Sequence, residues 1–196
     1  SPVYKVSCHY LIDRNGKIFQ MVSDNKIAWH AGKSKWNEIK NLNKNSIGIE
    51  LVNKGHNFGY EKFTSVQIKK LVQLCSALKK KYKIDKSCIL GHSDIAPLRK
   101  KDPGEKFPWF FLSKKGLGVW YKKVNKNSYL DKEKNIRNIF FKNLHKIGYR
   151  YFNKNKISKK DKIIIKAFQR RYLQDQVNGV ISKKTVIISD FLANIR

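Results

Sequence analysis

Alternating and helically spaced apolar positions divide the chain into a mixed first part and a helical tail. Residues 4–12 (YKVSCHYLI) and 17–22 (KIFQMV) are rich in β-formers and flank Asp13-Arg14-Asn15-Gly16, whose Asn-Gly pair signals a turn. The pattern predicts a hairpin. Over 45–52 (NSIGIELV), Ile47, Ile49 and Leu51 share one face and Ser46, Gly48 and Glu50 the other. One face packs on a core and Glu50 is offered on the opposite face, either from a central strand or in water on an edge. The clearest helix follows: Thr64 and Gln67 spell a capping box, and Ile68, Leu71, Val72, Cys75, Leu78 and Tyr82 form one apolar stripe. Residues 88–91 (CILG) read as a short strand delivering His92 to a loop, 93–108, that holds Pro97, Pro103 and Pro108.

Residues 113–130 are a Lys/Gly/Asn-rich connection, and a boundary is placed near 126. Beyond it, Ile136, Ile139, Phe140, Leu144 and Ile147 make a helical stripe stopped by Gly148. Ser158 with Asp161 caps a second helix running to about Leu173. Ser182 caps a third, with Asn178-Gly179 turning between the last two. The fold class expected is α/β: a mixed central sheet flanked by helices over 1–126, plus a small three-helix domain over 127–196. No apolar run approaches the roughly 18 residues of a membrane span.

Composition sharpens this. With 41% apolar residues the chain can bury a core despite a net charge of +29, so wholesale disorder is excluded. An acidic binding module or a calcium cage does not fit that charge. Nucleic acid is its obvious partner, yet only seven of the 43 basic residues are Arg. Base-reading proteins rely on the forked guanidinium, so no specific nucleic-acid partner is expected. A dispersed lysine coat fits attraction to polyanionic surfaces, a bacterial cell wall among them. Cys8, Cys75 and Cys88 form neither an even set nor a CxxC pair, which argues against a disulfide framework or a cysteine zinc knuckle.

The most informative stretch for chemistry is Gly91-His92-Ser93-Asp94-Ile95-Ala96-Pro97-Leu98-Arg99-Lys100-Lys101-Asp102-Pro103-Gly104. An imidazole and a carboxylate ten residues apart on a proline-stiffened loop can be zinc ligands, or a packed His and a plain turn. Lys100 could offer positive charge to an oxyanion. Glu50 could act as a general base near a metal, or sit in water. Trp29-His30-Ala31-Gly32 could admit a substrate to the backbone, or form a bend. His9 could face the same cleft or cover the sheet.

Four ordered segments carry a resemblance: Val6-Ser7-Cys8-His9-Tyr10-Leu11-Ile12, Ala28-Trp29-His30-Ala31-Gly32, Asn45-Ser46-Ile47-Gly48-Ile49-Glu50, and His92 to Gly104 with Phe107-Pro108-Trp109. Over roughly 4–125 the chain resembles the zinc-dependent N-acetylmuramoyl-L-alanine amidases of the Amidase_2 group, which share the peptidoglycan-recognition-protein fold. The tail, through Gly148-Tyr149, Ala167-Phe168-Gln169 and Asn178-Gly179-Val180-Ile181-Ser182 with Thr185, resembles the three-helix peptidoglycan-binding domain. Together they look most like the envelope amidases of the AmiD type.

The resemblance implies Zn2+ held by His92 and Asp102, Glu50 as catalytic base and Lys100 as electrostatic stabiliser. It implies a substrate cleft lined by Trp29, His30, Ala31, His9 and Asn45. Peptidoglycan or muropeptides would be the partner, the cell envelope the location, and a monomer the favoured state. One departure stands out. The family's first zinc His lies on an earlier strand, and nothing in this chain matches it. The expectation is that this ligand lies upstream of Ser1, with His9 as an improbable substitute. A non-catalytic peptidoglycan-binding protein on the same fold is the competing reading.

Overall fold

The computed structural model describes residues 6–122 and 135–195. The expected boundary near 126 lies outside them. The chain packs as two compact units that interleave in sequence. The first is drawn from Ser1–Ser34, Ile39–Ile89 and Lys106–Gly118; the second from Lys35–Glu38, Leu90–Glu105 and Val119–Arg196.

In the first unit, β1 (Tyr10–Ile12) and β2 (Ile18–Gln20) form the expected hairpin, antiparallel with Tyr10 opposite Gln20 and Ile12 opposite Ile18. Asp13 makes the turn: its carboxylate accepts from the N–H groups of Asn15 and Lys17 at 2.9 and 2.8 Å, and Gly16 takes the left-handed conformation at φ 82°. Two-residue strands β3 (Lys35–Trp36) and β4 (Ile39–Lys40) come next in the chain, the former belonging to the second unit. Strand β5 (Ile49–Leu51) runs parallel to β1, with Leu11 opposite Glu50, and the sheet order is β2-β1-β5.

Helix α1 (Ser65–Lys81) starts at the Thr64–Gln67 capping box and buries Ile68, Leu71, Cys75 and Leu78, as the stripe predicts. Gln67 is buried too. Its amide donates to the carbonyls of Ile12 and Val52 at 3.2 and 3.0 Å, stapling the helix to the sheet. Tyr82 departs from the stripe. It is exposed at the C-cap, where its hydroxyl donates to Asp24 at 2.8 Å beside Lys81 and Tyr10.

No strand forms over 88–91. Asp85 accepts from Ser87 N–H at 2.7 Å and closes a single 3-10 turn, Lys86–Cys88, so these backbone groups are spent locally instead of in a ladder. Past the loop, α3 (Trp109–Lys114) is a short helix that sequence spacing does not reveal. It is anchored by Phe107 edge-on to Trp109 and to Phe63, with ring centroids 4.7 and 5.4 Å apart.

Cys75 shows what burial on α1 costs an ionisable group. Desolvation pushes its thiol from 9.0 up to about 12. The raised value means the unfolded chain loses this proton first. Stability from this group is therefore complete below about pH 9 and declines from there towards 12, by about 1.4 kcal/mol per pH unit. Urea midpoints at pH 8 and pH 10 should differ more for the natural chain than for Cys75→Ala; equal slopes would contradict this assignment.

The second unit holds α2 (His92–Ile95), α4 (Ile136–Ile147), α5 (Asp161–Tyr172) and α6 (Lys183–Asn194). The three tail helices fall where the periodicity places them, and α4 packs on α6. Ser182 and Thr185 complete a capping box. Before α5, Asp161 accepts from Ser158 N–H at 3.2 Å and also takes Arg137 at 2.7 Å. Gly148 ends α4 at φ 131°, and a Cβ there would lie 2.5 Å from the Trp36 ring. Buried Gln169 holds the Asn178-Gly179 turn, accepting from Gly179 N–H at 2.8 Å and donating to Asn178 and Val180. Among the described residues no helix is long and apolar enough to cross a membrane.

Candidate active site

The residues expected to do chemistry fall in both units.

In the second unit the 92–105 loop is built as a cage of short-range bonds. His92 opens α2, whose N-terminal turn is closed by Asp94 accepting from Gly91 N–H at 2.8 Å. Ser93 N–H donates to the Asp102 carbonyl at 2.9 Å, and the N–H groups of Arg99 and Lys100 return to the Ala96 carbonyl at 3.1 and 3.0 Å. The loop therefore folds back on itself. It brings His92 Nδ1 to 3.1 Å from Asp102 Oδ2, while Arg99 Nη2 stands 3.3 Å from His92 Nε2. An arginine can only donate, so with neutral imidazole Nε2 is the acceptor and Nδ1–H donates to Asp102. Burial pushes the Asp102 carboxyl up, but the His92 hydrogen bond, with the Lys100 charge adding to it, outweighs burial and holds the group below its usual range. Lys100 is thus near enough to act on Asp102 through its charge. Arg99 was visible in the motif, yet spacing gave no sign that it reaches the imidazole.

The donor set can be tested for zinc on geometry. Ligands of a tetrahedral zinc about 2.0–2.1 Å away stand about 3.3 Å from each other. His92 Nδ1 and Asp102 Oδ2, at 3.1 Å, fit two adjacent ligand positions. Among the described residues no group of three or more His, Cys, Asp or Glu side chains is gathered to hold a metal. The pair fits; the set of three that a catalytic zinc requires is not assembled from described residues.

The first unit carries the other group. Glu50 is exposed on β5, which pairs with β1 alone among the described residues. The Cys8 thiol is raised by burial first and by the negative charge of Glu50 second. Trp29 is 49% exposed, and its backbone is fixed by exchange with Ser7: Trp29 N–H donates to Ser7 Oγ at 2.8 Å and Ser7 N–H to the Trp29 carbonyl at 3.2 Å. Asn45 is exposed after a 3-10 turn, its N–H on the Leu42 carbonyl at 3.0 Å.

Two residues expected at the cleft are buried and engaged within the chain. His9 is 1% exposed and lies in the sheet core. Its Nδ1 accepts from Gly48 N–H at 3.0 Å, so Nε2 carries the proton and donates to the Lys26 carbonyl at 3.0 Å. Both ring nitrogens are thus committed to backbone partners. His9 ties β1 to the Gly48 backbone. Ala31 is likewise buried, and the N–H groups of Ala31 and Gly32 are both given to Asn43 Oδ1, at 2.7 and 3.2 Å. They are not available to a ligand, and no pattern in the sequence marked Asn43 as their partner.

His30 packs edge-on to His9, ring centroids 5.5 Å apart, with Nε2 3.3 Å from the Ser46 carbonyl. Gly48 makes this possible: a Cβ there would fall 2.2 Å from His30 Cγ. The Gly48 carbonyl is held by His9 and Tyr10 N–H, so the backbone cannot retreat. Gly48→Ala is expected to displace His30 and cost about 1–3 kcal/mol. A thermal melt within experimental error of the natural chain would contradict this contact.

Residues 2–105 match the Amidase_2 family, N-acetylmuramoyl-L-alanine amidase. The chain belongs to this family. It is 33% identical over 203 residues to N-acetylmuramoyl-L-alanine amidase AmiD of Escherichia coli K12, a match covering 96% of this chain and 74% of that protein. The structure of E. coli AmiD in complex with anhydro-N-acetylmuramic acid-L-Ala-D-gamma-Glu-L-Lys matches with a TM-score of 0.84 at 32% identity, covering 96% of this chain and 79% of that one. AmpDh3 of Pseudomonas aeruginosa, in complex with anhydromuramic pentapeptide, matches with a TM-score of 0.83 at 29% identity over 94% of this chain and 80% of that one. The amidase fold expected from the sequence is thus the fold observed, and the chain is an AmiD-like amidase. The likeness runs through the helical tail as well as the motif-bearing part.

Proposed function

We propose that this amidase hydrolyses the amide between the lactyl group of MurNAc, or its 1,6-anhydro form, and L-Ala of the peptidoglycan stem peptide, with zinc as cofactor. The observation that carries the reading is the His92–Asp102 convergence on the motif loop of a chain that aligns with AmiD almost end to end. His92 and Asp102 would supply two of the ion's protein ligands. Zinc, when bound there, supplies Lewis-acid polarisation of the scissile carbonyl and lowers the pKa of water to about 7.

The chain's own groups do the rest. Glu50, an exposed carboxylate, takes a proton from the attacking water and passes it to the leaving amine. Lys100 places an ammonium where the carbonyl oxygen gains charge; one such stabilising donor is typically worth about 2.7–4 kcal/mol. The exposed face of Trp29, the ring of His30 and the amide of Asn45 line the approach of the substrate. The lysine coat draws in stem-peptide carboxylates, and added salt weakens that capture. The 127–196 tail adds attachment to peptidoglycan, which places the enzyme in the cell envelope, acting as a monomer.

Dye-labelled sacculi incubated with the chain test this. Release of soluble material that stops with a chelator and returns with zinc supports the reading. The two-ligand set among the described residues favours one alternative, a binding protein of the same fold. Sedimentation of the full-length protein with sacculi, without release in any metal condition, would select it.

A further inference from the structure

Asp94 lies buried inside the motif loop with both carboxylate oxygens engaged. Oδ2 accepts from Gly91 N–H at 2.8 Å and from Arg171 Nη1, and Oδ1 accepts from the Tyr149 hydroxyl at 2.5 Å. Gly91 immediately precedes His92, so one carboxylate closes the turn that carries the imidazole and is itself clamped by the helical tail. Arg171 lies on α5 and Tyr149 directly follows α4; both are buried. The neighbouring Arg170 places Nε 3.6 Å from Glu105 Oε2, just past Asp102-Pro103-Gly104. Adjacent arginines of α5 therefore hold the loop near its two ends, and the Ser93–Asp102 backbone bond joins those ends internally.

A buried carboxylate requires partners, and any partners would satisfy it. What is particular here is where the clamp acts: on the turn before His92 and on the chain after Asp102. A buried hydrogen-bonded polar network restricts a loop to few geometries, and groups that orient metal ligands govern metal affinity and rate.

We propose that Arg171, Tyr149 and Arg170 are positioning residues for the amidase reaction: the tail holds the loop that places His92, Lys100 and Asp102. This rests on reading His92 and Asp102 as ligands. It makes the tail a determinant of turnover on a small soluble muropeptide, where attachment to a wall plays no part.

Tyr149→Phe tests it gently, since the ring keeps its packing on Trp36 and Phe168 at 5.0 and 6.2 Å and only the hydroxyl goes. Arg171→Lys, which keeps the charge and loses the fork, is the second variant. Both are made in the full chain. Three quantities are read: kcat and KM on soluble anhydro-MurNAc-tripeptide, and backbone hydrogen exchange over 91–104 compared with α6. The expected result is a kcat lower by about tenfold or more, a KM little changed, and faster exchange confined to 91–104. Unchanged kcat with unchanged exchange would overturn the proposal. So would exchange accelerated equally through α4, α5 and α6, which marks a role in core stability alone. If the natural chain does not turn over the muropeptide, the amidase reading fails and exchange alone decides: acceleration confined to 91–104 keeps the positioning role, and a uniform or absent change overturns it.

Discussion

Glu50→Gln is expected to lower turnover of a muropeptide by about 10²–10⁴-fold, the usual worth of a general acid–base group, with KM and melting temperature close to those of the natural chain. The expectation follows from position. Glu50 is exposed on β5, and its side chain supports no described core contact, so removing its charge leaves the fold intact. The glutamine keeps shape and polarity but cannot accept a proton from water. Full turnover in Glu50→Gln would remove this residue from the mechanism.

Asp102→Ala is expected to abolish zinc-supported turnover and to weaken zinc binding by more than the about 10–100-fold typical of losing a group that merely orients a ligand. Here the lost group is itself one of the converging pair. His92→Ala is expected to match it. The two losses should not add in the double variant, because either one leaves the ion with too few protein ligands. Zinc competition against a chromophoric chelator reads this directly. The fold should survive in Asp102→Ala, because the bond that joins the loop ends uses the Asp102 backbone carbonyl and not its carboxylate. Zinc affinity equal to that of the natural chain in both single variants would show that the pair is a plain His–Asp hydrogen bond.

Local chemistry made much of this molecule readable. The capping boxes at Thr64–Gln67 and Ser182–Thr185 depend on residues three apart, and the Asn15-Gly16 and Asn178-Gly179 turns on neighbours. The 93–104 loop was legible as chemistry because its residue types are unusual together. What stayed hidden depends on distant partners. The apolar 88–91 stretch looked like a strand, but nothing in its own residues shows that Asp85 commits the preceding turn to itself. Tyr82 fits the buried stripe by spacing, yet Asp24 draws it into solvent. The place of His9, in a cleft or covering the sheet, stayed open because alternation cannot say that Gly48 and Lys26 occupy both its nitrogens. The clamp on Asp94 was hidden too, since Arg171 is far along the chain.

The central claim is zinc-dependent cleavage at one bond, and it is tested most directly by mass spectrometry of a defined anhydro-MurNAc-tripeptide (L-Ala-γ-D-Glu-L-Lys) digest run in ¹⁸O water, with zinc and with a chelator. The account predicts, with zinc only, an unlabelled free tripeptide and an anhydro-MurNAc carrying ¹⁸O in its lactyl carboxylate. Label appearing instead on a peptide carboxylate, or equal cleavage in the chelated sample, would contradict it.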